Sequence, residues 1–143
     1  MQITTATQPR DLLSLLRLVE PTPEGDAVWA RHCTTRQAAI LRLQLPSGAA
    51  SDLTSLSTTI GIPIEVVHEM PIPGTAFPAH DKWHIHISDS LNPAAQLRTA
   101  LHELKHIIDH PMRRTDGGTG FSVADYELQA NLFAGLVLGE ADS

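Results

Sequence analysis

The chain has 143 residues, 42% of them hydrophobic and 18% charged, a composition typical of one globular domain with its own core. Its formal net charge is −6 and its ten Lys and Arg residues are scattered, which excludes the basic face that nucleic-acid binding requires. Cys33 is the single cysteine, and neither a secretion signal nor an apolar run of membrane-spanning length occurs. We therefore expect one cytoplasmic domain over residues 1–143 that contacts neither nucleic acid nor membrane directly, with its oligomeric state left open.

Three helices are predicted in the first part of the chain, separated by residues that form turns. Apolar residues recur at helical spacing and place these helices at residues 11–19, 26–45 and 51–60. Ser51 or Asp52 is expected to cap the third helix, and Gly61 with Pro63 ends it. The first 50 residues therefore form a helical N-terminal part, to which the sequence assigns no role.

A small sheet is predicted in the middle of the chain. Residues 62–70, IPIEVVHEM, are rich in β-branched side chains, and the stretch WHIHIS that begins at Trp83 alternates between apolar and polar residues. If Trp83 and the two isoleucines face the helices, His84 and His86 point to the opposite face. Residues 71–82 contain three prolines and a glycine, and we interpret them as a turn-rich connection.

Two more helices are predicted after the sheet. The first extends from a cap at Ser90 or Asn92 to the residue before Pro111, and the second covers residues 123–138 after a glycine-rich loop. This order of elements indicates an α+β fold, in which a twisted sheet of about three strands packs against the first of these helices and its antiparallel partner.

The stretch HELKH in the first of these two helices places two histidines on one helix face. His102 and His106 are four residues apart, so their imidazoles project about 40° apart around the axis and can bind one Zn²⁺. Glu103 lies beside them, where it can take a proton from water at the metal. Because the same residues also suit an ordinary solvated helix face, the choice depends on a third ligand.

The last helix offers this third ligand. Glu127 carries a charge on an otherwise apolar helix, where its burial beside another apolar helix would be costly unless it binds a metal. Asn131 lies one turn later on the same face, where its amide can orient a histidine ligand. We therefore expect a zinc site in which His102, His106 and Glu127 are the ligands.

The two-part motif resembles that of the ImmA/IrrE-type metallopeptidases, which are small gluzincins with a thermolysin-like core. The similarity covers about residues 55–138, and its matching residues are His102, Glu103, His106, Glu127, Ala130, Asn131, Phe133 and Ala134. It implies a gluzincin-like fold, the same three zinc ligands, Glu103 as the general base, and Asn131 as the residue that orients a ligand. Lys105 stands where the family often has Gly, a departure that is harmless if its side chain faces solvent.

The resemblance also implies a zinc-dependent endopeptidase that uses a metal-activated water to hydrolyse one cytoplasmic protein, such as a helix-turn-helix transcriptional repressor. The alternative is a non-catalytic, zinc-containing regulatory protein that sequesters a repressor or toxin partner. Glu103 argues against this alternative, since a pure binding site gains nothing from a base beside the metal. A third reading is the hydrolysis of a non-peptide substrate, which no motif in the chain supports.

Four other residues have side chains that could serve a metal site or its chemistry. Tyr126, next to Glu127 in sequence, and His80, before the second strand, are candidates for stabilising an oxyanion. His110 is expected to interact with the C-terminal end of its helix and not with the metal, because helical rotation and rise carry it away from the other two histidines. Cys33 is expected to be a small core residue.

Overall fold

The computed structural model describes residues 12–19, 27–46, 52–113 and 121–140 of the chain. Within these residues it contains five helices: α1 Leu12–Arg17, α2 Ala27–Gln44, α3 Leu53–Ile60, α4 Pro93–Arg113 and α5 Val123–Val137. One sheet contains three strands: β1 Ile64–Val67, β2 Gly74–Ala79 and β3 Lys82–Ser88. The architecture is α+β, as predicted. None of these helices is long and apolar enough to cross a membrane.

The strands are arranged in the order β1-β3-β2, so β2 lies at one edge of the sheet. β1 runs parallel to β3, whereas β2 runs antiparallel to it, with Gly74 opposite Ile87. Ser88 N donates to Pro73 O at 2.8 Å, which makes the Gly74–Ile87 pair a non-hydrogen-bonded pair of the antiparallel ladder. Every second residue of β2, beginning at Gly74, therefore points its backbone N–H and C=O away from β3.

The strand β2 corrects the interpretation of residues 71–82 as a turn-rich connection. The outward-pointing residues of β2 are Gly74, Ala76 and Pro78. Pro78 thus occupies a position at which the ladder does not need the N–H that proline lacks, a situation that edge strands tolerate.

One face of β3 packs against the helices and the other carries two histidines. Ile85 and Ile87 are fully buried. On the opposite face, Phe77 stacks on His84 with ring centroids 5.5 Å apart and meets His86 edge-on at 4.7 Å. These histidines point away from the helices, as the alternation of WHIHIS predicts.

The buried core combines residues of α1 and α2 with residues of the later elements, including Leu16, Leu41, Leu56, Ile85, Leu101, Leu104, Ile107 and Phe133. Cys33 is also buried, as predicted. The buried Gln37 of α2 donates through Nε2 to Val19 O at 2.7 Å, just beyond the end of α1, and to Leu16 O at 3.2 Å, which also accepts the Val19 N–H. The N-terminal helices therefore share one packed interior with the sheet and α4.

Side chains cap the helices at the predicted positions. The Asp52 carboxylate accepts the Ser55 N–H at 2.8 Å at the start of α3, and hydrogen bonds from Ser55 lower the pKa of Asp52 below its ordinary 3.8. Ser51, the other candidate cap, lies outside the described residues. Gly61 ends α3 with φ of 71°, a left-handed conformation that glycine adopts without strain. Asn92 caps α4 in the same way as Asp52 caps α3.

The helix α4 continues through Pro111 to Arg113, which corrects the prediction that it ends before this proline. Proline lacks the N–H that would bond to the carbonyl four residues earlier, which is that of Ile107. Arg17 of α1 supplies the missing donor, since its Nη2 lies 2.6 Å from Ile107 O. A side chain from the N-terminal part thus satisfies the carbonyl that the proline leaves open, and the helix can continue.

Replacing Arg17 by Met keeps the apolar stem but removes the donor to Ile107 O. We expect Arg17→Met to lower the free energy of unfolding by about 1–3 kcal/mol, the cost of an unpaired and largely buried carbonyl. In a Pro111→Ala background the N–H of residue 111 can bond to this carbonyl, so the same replacement should cost less than half as much. Urea unfolding in both backgrounds measures the difference. Arg42→Met, at an exposed arginine of α2, is the control, and an equal cost in both backgrounds would contradict the account.

Candidate metal centre

The candidate site lies between α4 and α5, which pack against each other. Along α4 the contacts between them follow this order: Arg98 with Glu140, His102 with Asn131, and His106 with Glu127. Residues later in α4 therefore contact residues earlier in α5, and the first of the three contacts is made by a residue just beyond the end of α5. The two helices are therefore antiparallel, as predicted.

Three side chains converge at the centre of this contact. His102 Nε2 lies 3.1 Å from His106 Nε2 and 3.0 Å from Glu127 Oε1, and His106 Nε2 lies 2.8 Å from Glu127 Oε2. The two histidine side chains are 20% and 12% exposed, whereas the Glu127 side chain is 49% exposed. Solvent or a ligand can therefore reach the cluster from the side of Glu127.

Asn131 orients the first histidine of the cluster. Its Oδ1 lies 2.8 Å from His102 Nδ1. Because an amide oxygen is an acceptor only, this contact requires the proton of a neutral His102 to be on Nδ1. The lone pair of Nε2 then points into the cluster, as metal binding requires.

The cluster fits the metal that the motif implies. One possible ligand atom from each of the three side chains lies within 4.8 Å of the other two. Ligand atoms placed tetrahedrally around zinc at about 2.0–2.1 Å stand about 3.3 Å apart, close to the separations between these side chains. Two imidazole nitrogens and a carboxylate are donors that zinc accepts, and a cation among them would neutralise Glu127 and satisfy both nitrogen lone pairs.

Glu103 lies next to the cluster without being part of it. Its half-buried side chain, together with His102, lines two cavities that flank this position. The remaining residues of the first cavity are Pro73, Gly74, Arg98, Thr99 and Asn131. The remaining residues of the second are Ala76, Pro78, Trp83, His106, Ile107, His110 and Glu127. A cleft thus extends along β2 on both sides of Glu103.

Gly74 allows β2 to approach α4 at this cleft. A Cβ atom at this position would lie 2.6 Å from Thr99 Cγ2, far inside van der Waals contact. Thr99 precedes His102 by three residues, so any larger side chain at position 74 would push the edge strand away from the cluster. Gly74, Trp83 and Arg98 line these cavities but were not among the predicted site residues, although the position of Arg98, one turn before His102 on the same face, is a signal in the sequence.

The other residues considered for a catalytic role lie elsewhere. Tyr126 is 6% exposed, contacts the Phe121 ring and lines a separate small cavity with Lys105. His80 is exposed in the turn between β2 and β3, with φ of 53°. Neither side chain lines the cavities beside Glu103. His110 does line the second cavity but is not one of the three clustered residues.

Lys105 stands where the family often has Gly, a departure expected to be harmless if the side chain faces solvent. The Lys105 side chain does not face solvent. It is 3% exposed, and its Nζ donates to Asp109 Oδ1 at 2.6 Å. Asp109 is buried to the same degree. The ion pair offsets part of the cost that either charge alone would impose on the interior, and it lies on α4 close to His102 and His106.

Comparison with protein-family models matches residues 59–138 to the IrrE N-terminal-like domain, a family of peptidases. No curated protein and no solved structure matches the chain significantly. The matched residues cover more than half of the chain and include the whole cluster, Glu103 and Asn131. The family predicted from the two-part motif is thereby confirmed, and the chain belongs to the IrrE N-terminal-like peptidase family.

Proposed function

We propose that this protein is a zinc-dependent endopeptidase that acts in the cytoplasm on one protein substrate, such as a helix-turn-helix transcriptional repressor. The observation that carries the proposal is the convergence of the His102, His106 and Glu127 side chains, with Glu103 beside them. Membership of a peptidase family supports the same conclusion.

The three clustered side chains would hold the zinc ion, and Asn131 would keep His102 in the tautomer that binds it. When bound, the ion supplies Lewis acidity toward a water molecule and toward the carbonyl oxygen of the substrate. Because the ligands come from both α4 and α5, zinc binding would also tie these helices together and stabilise the fold.

Glu103 is the residue that would move the proton. It reaches the cleft from α4 at the point where the two cavities meet. Its carboxylate accepts the proton that the attacking water loses and then donates it to the amine nitrogen as the C–N bond breaks. A base at this position adds nothing to a protein that only binds its partner, which favours hydrolysis over sequestration.

The edge strand β2 offers a place for the backbone of an extended substrate. The outward N–H and C=O groups of Gly74 and Ala76, and the Pro78 carbonyl, belong to residues that line the same cleft as Glu103. A peptide segment that pairs with β2 as a further strand would hydrogen-bond to these groups. Since cavities flank Glu103 on both sides, the substrate can continue in both directions, which favours cleavage within a chain.

Protein purified without a histidine tag is expected to contain about one zinc ion per chain. Loss of a residue that only orients a ligand weakens metal affinity by up to ~100-fold. Glu127→Ala removes a ligand itself, so it should weaken zinc affinity by at least that factor. Competition with a chromophoric chelator measures both affinities. Glu65→Ala, which removes an exposed carboxylate of β1, is the control with unchanged affinity. Equal zinc retention in the Glu127→Ala protein would show that the third ligand is another residue.

Glu103→Gln is expected to keep the zinc ion, because this side chain is not a ligand, and to slow hydrolysis by roughly 10²–10⁴-fold, the usual contribution of a general base. Mass spectrometry detects the fragments of β-casein and of candidate repressors incubated with each protein. Glu69→Gln changes an exposed glutamate beyond β1 and should leave cleavage unchanged. If the zinc-loaded wild-type protein instead forms a stable complex with a repressor and both chains stay intact, the sequestering alternative is correct.

A further inference from the structure

A groove outside the cleft lies between the start of α2 and the outer face of α5. Its volume is about 1000 Å³, including the open mouth, and the residues that line it include Ala27, Val28, Arg31, Leu128, Asn131 and Leu132. We name this feature the α2–α5 groove. Val28 and Leu128 are 80% and 63% exposed. The walls of the groove therefore present large apolar side chains to solvent.

The outer face of α5 lacks the charged side chains that a solvent-exposed helix normally carries. The helix has two charged residues: Asp125 takes part in the cap at its N-terminus, and Glu127 belongs to the cluster. Its two amide side chains are also engaged, since Gln129 accepts a hydrogen bond from α2 and Asn131 contacts a histidine of the cluster. The outward side of the helix therefore carries an apolar stripe that recurs every fourth position: Ala124, Leu128 and Leu132.

The composition of the chain favours an occupant of the groove that comes from another protein. The segments outside the described residues contain only two large apolar side chains, Met1 and Ile3, too few to bury the apolar stripe. A second copy of the chain fits poorly as well, because a two-fold symmetric contact requires a self-complementary surface and a groove lacks the ridge that would fill its copy. Two copies would also bring together net charges of −6 each.

The α2–α5 groove is continuous with the cleft at Glu103. Asn131 lines both the groove and the first cavity beside Glu103. Its Oδ1 contacts His102, so the groove begins next to the cluster itself. A substrate that passes Glu103 in the cleft can therefore reach the groove with a neighbouring part of its chain. This continuity favours the substrate over an unrelated protein as the occupant.

The groove suits an amphipathic helix that carries an acidic residue. A helix packs against other helices when its apolar side chains recur every three or four positions and fit between their ridges. Val28, Leu128 and Leu132 offer apolar contacts to such side chains. Arg31 is the only charged side chain among the described residues that line the groove. Its guanidinium has five N–H donors, enough to bind a partner's carboxylate in addition to contacts within the chain.

We propose that the α2–α5 groove is a docking site for an amphipathic helix of the protein substrate, separate from the segment that enters the cleft. The helix presents large apolar side chains to the apolar stripe and an Asp or Glu side chain to Arg31. This inference rests on the proposed function and adds a contact by which the substrate is recognised away from the cleaved bond. Docking raises the effective concentration of the cleavable segment at Glu103, so selectivity does not depend on the sequence at the cleaved bond alone.

Selection from a displayed library of helical peptides, each about 20 residues long, tests the groove without requiring hydrolysis. The target is the zinc-loaded full chain. We expect the enriched peptides to carry leucine-like side chains at three- and four-residue spacing together with an acidic residue. Selection against Arg31→Glu should replace this acidic residue by Lys or Arg, because the charge that it faces is reversed.

Two variants place a charge in the groove, one from each helix. Leu128→Asp and Val28→Asp should each weaken binding of the enriched peptides by at least ~tenfold, the usual cost of losing an apolar anchor. Both side chains are exposed, so the substitutions leave the core intact. Leu43→Asp is the matched control with unchanged binding, because Leu43 is 84% exposed on α2 and does not line the groove.

A fusion peptide connects docking to cleavage. An enriched helix is joined through a Gly-Ser linker, in either order, to a β-casein segment, and KM is compared between the fused and the free segment. In the wild type and in Leu43→Asp we expect fusion to lower KM at least ~tenfold with kcat little changed. In Leu128→Asp and Val28→Asp the two KM values should be nearly equal. Because each protein is compared with itself, any effect of a substitution on the cleft cancels.

The outcomes separate the docking site from the proposed function. If no peptide is enriched, if the enriched peptides bind both groove variants as tightly as the wild type, or if fusion leaves KM unchanged, the docking site is wrong and the proposed function stands. If sedimentation shows a wild-type dimer that both groove variants dissociate, a second copy occupies the groove and the proposal is wrong. Groove-dependent binding by a protein that cleaves neither segment would support the docking surface and overturn hydrolysis.

Discussion

The geometry of the site depends on one constraint, which is that α4 and α5 lie side by side in a single antiparallel register. His102 contacts α5 at both ring nitrogens, since Asn131 Oδ1 lies 2.8 Å from Nδ1 and Glu127 Oε1 lies 3.0 Å from Nε2. A displacement of either helix by one turn, about 5.4 Å, would break both contacts and separate the three clustered side chains. The remaining elements support this register, because the sheet covers one side of α4 and α2 packs against α5.

Buried polar contacts help to select this register over others. Thr34 Oγ1 of α2 donates to Gln129 Oε1 of α5 at 2.7 Å, and Arg17 Nη2 of α1 donates to Ile107 O of α4 at 2.6 Å. Apolar side chains lose little when one helix slides along another, whereas a buried polar group that loses its partner costs free energy at once. Polar contacts therefore restrict the helices to an arrangement that brings His102, His106 and Glu127 together.

The residues of the candidate site could be predicted from the sequence because metal chemistry allows few donor types and helical spacing relates them locally. Features that depend on distant contacts could not be predicted. Gly74 and Pro78 are unfavourable in most strands, but β2 is an edge strand that must approach α4 closely. The passage of α4 through Pro111 depends on Arg17, whose partner Ile107 is 90 positions away. The burial of Lys105 could not be predicted either, because it depends on how the helices pack against each other.

The contact between Arg17 and Ile107 also determines how the chain can be divided. Residues 59–138 match the family and contain every residue of the cluster, yet they include neither α1 nor α2. A fragment with these limits would leave the Ile107 carbonyl without its donor and would expose the apolar surface against which Leu16 and Leu41 pack. Truncation to the region of family similarity would therefore yield an aggregation-prone polypeptide, because the boundary of sequence similarity is not a boundary of autonomous folding.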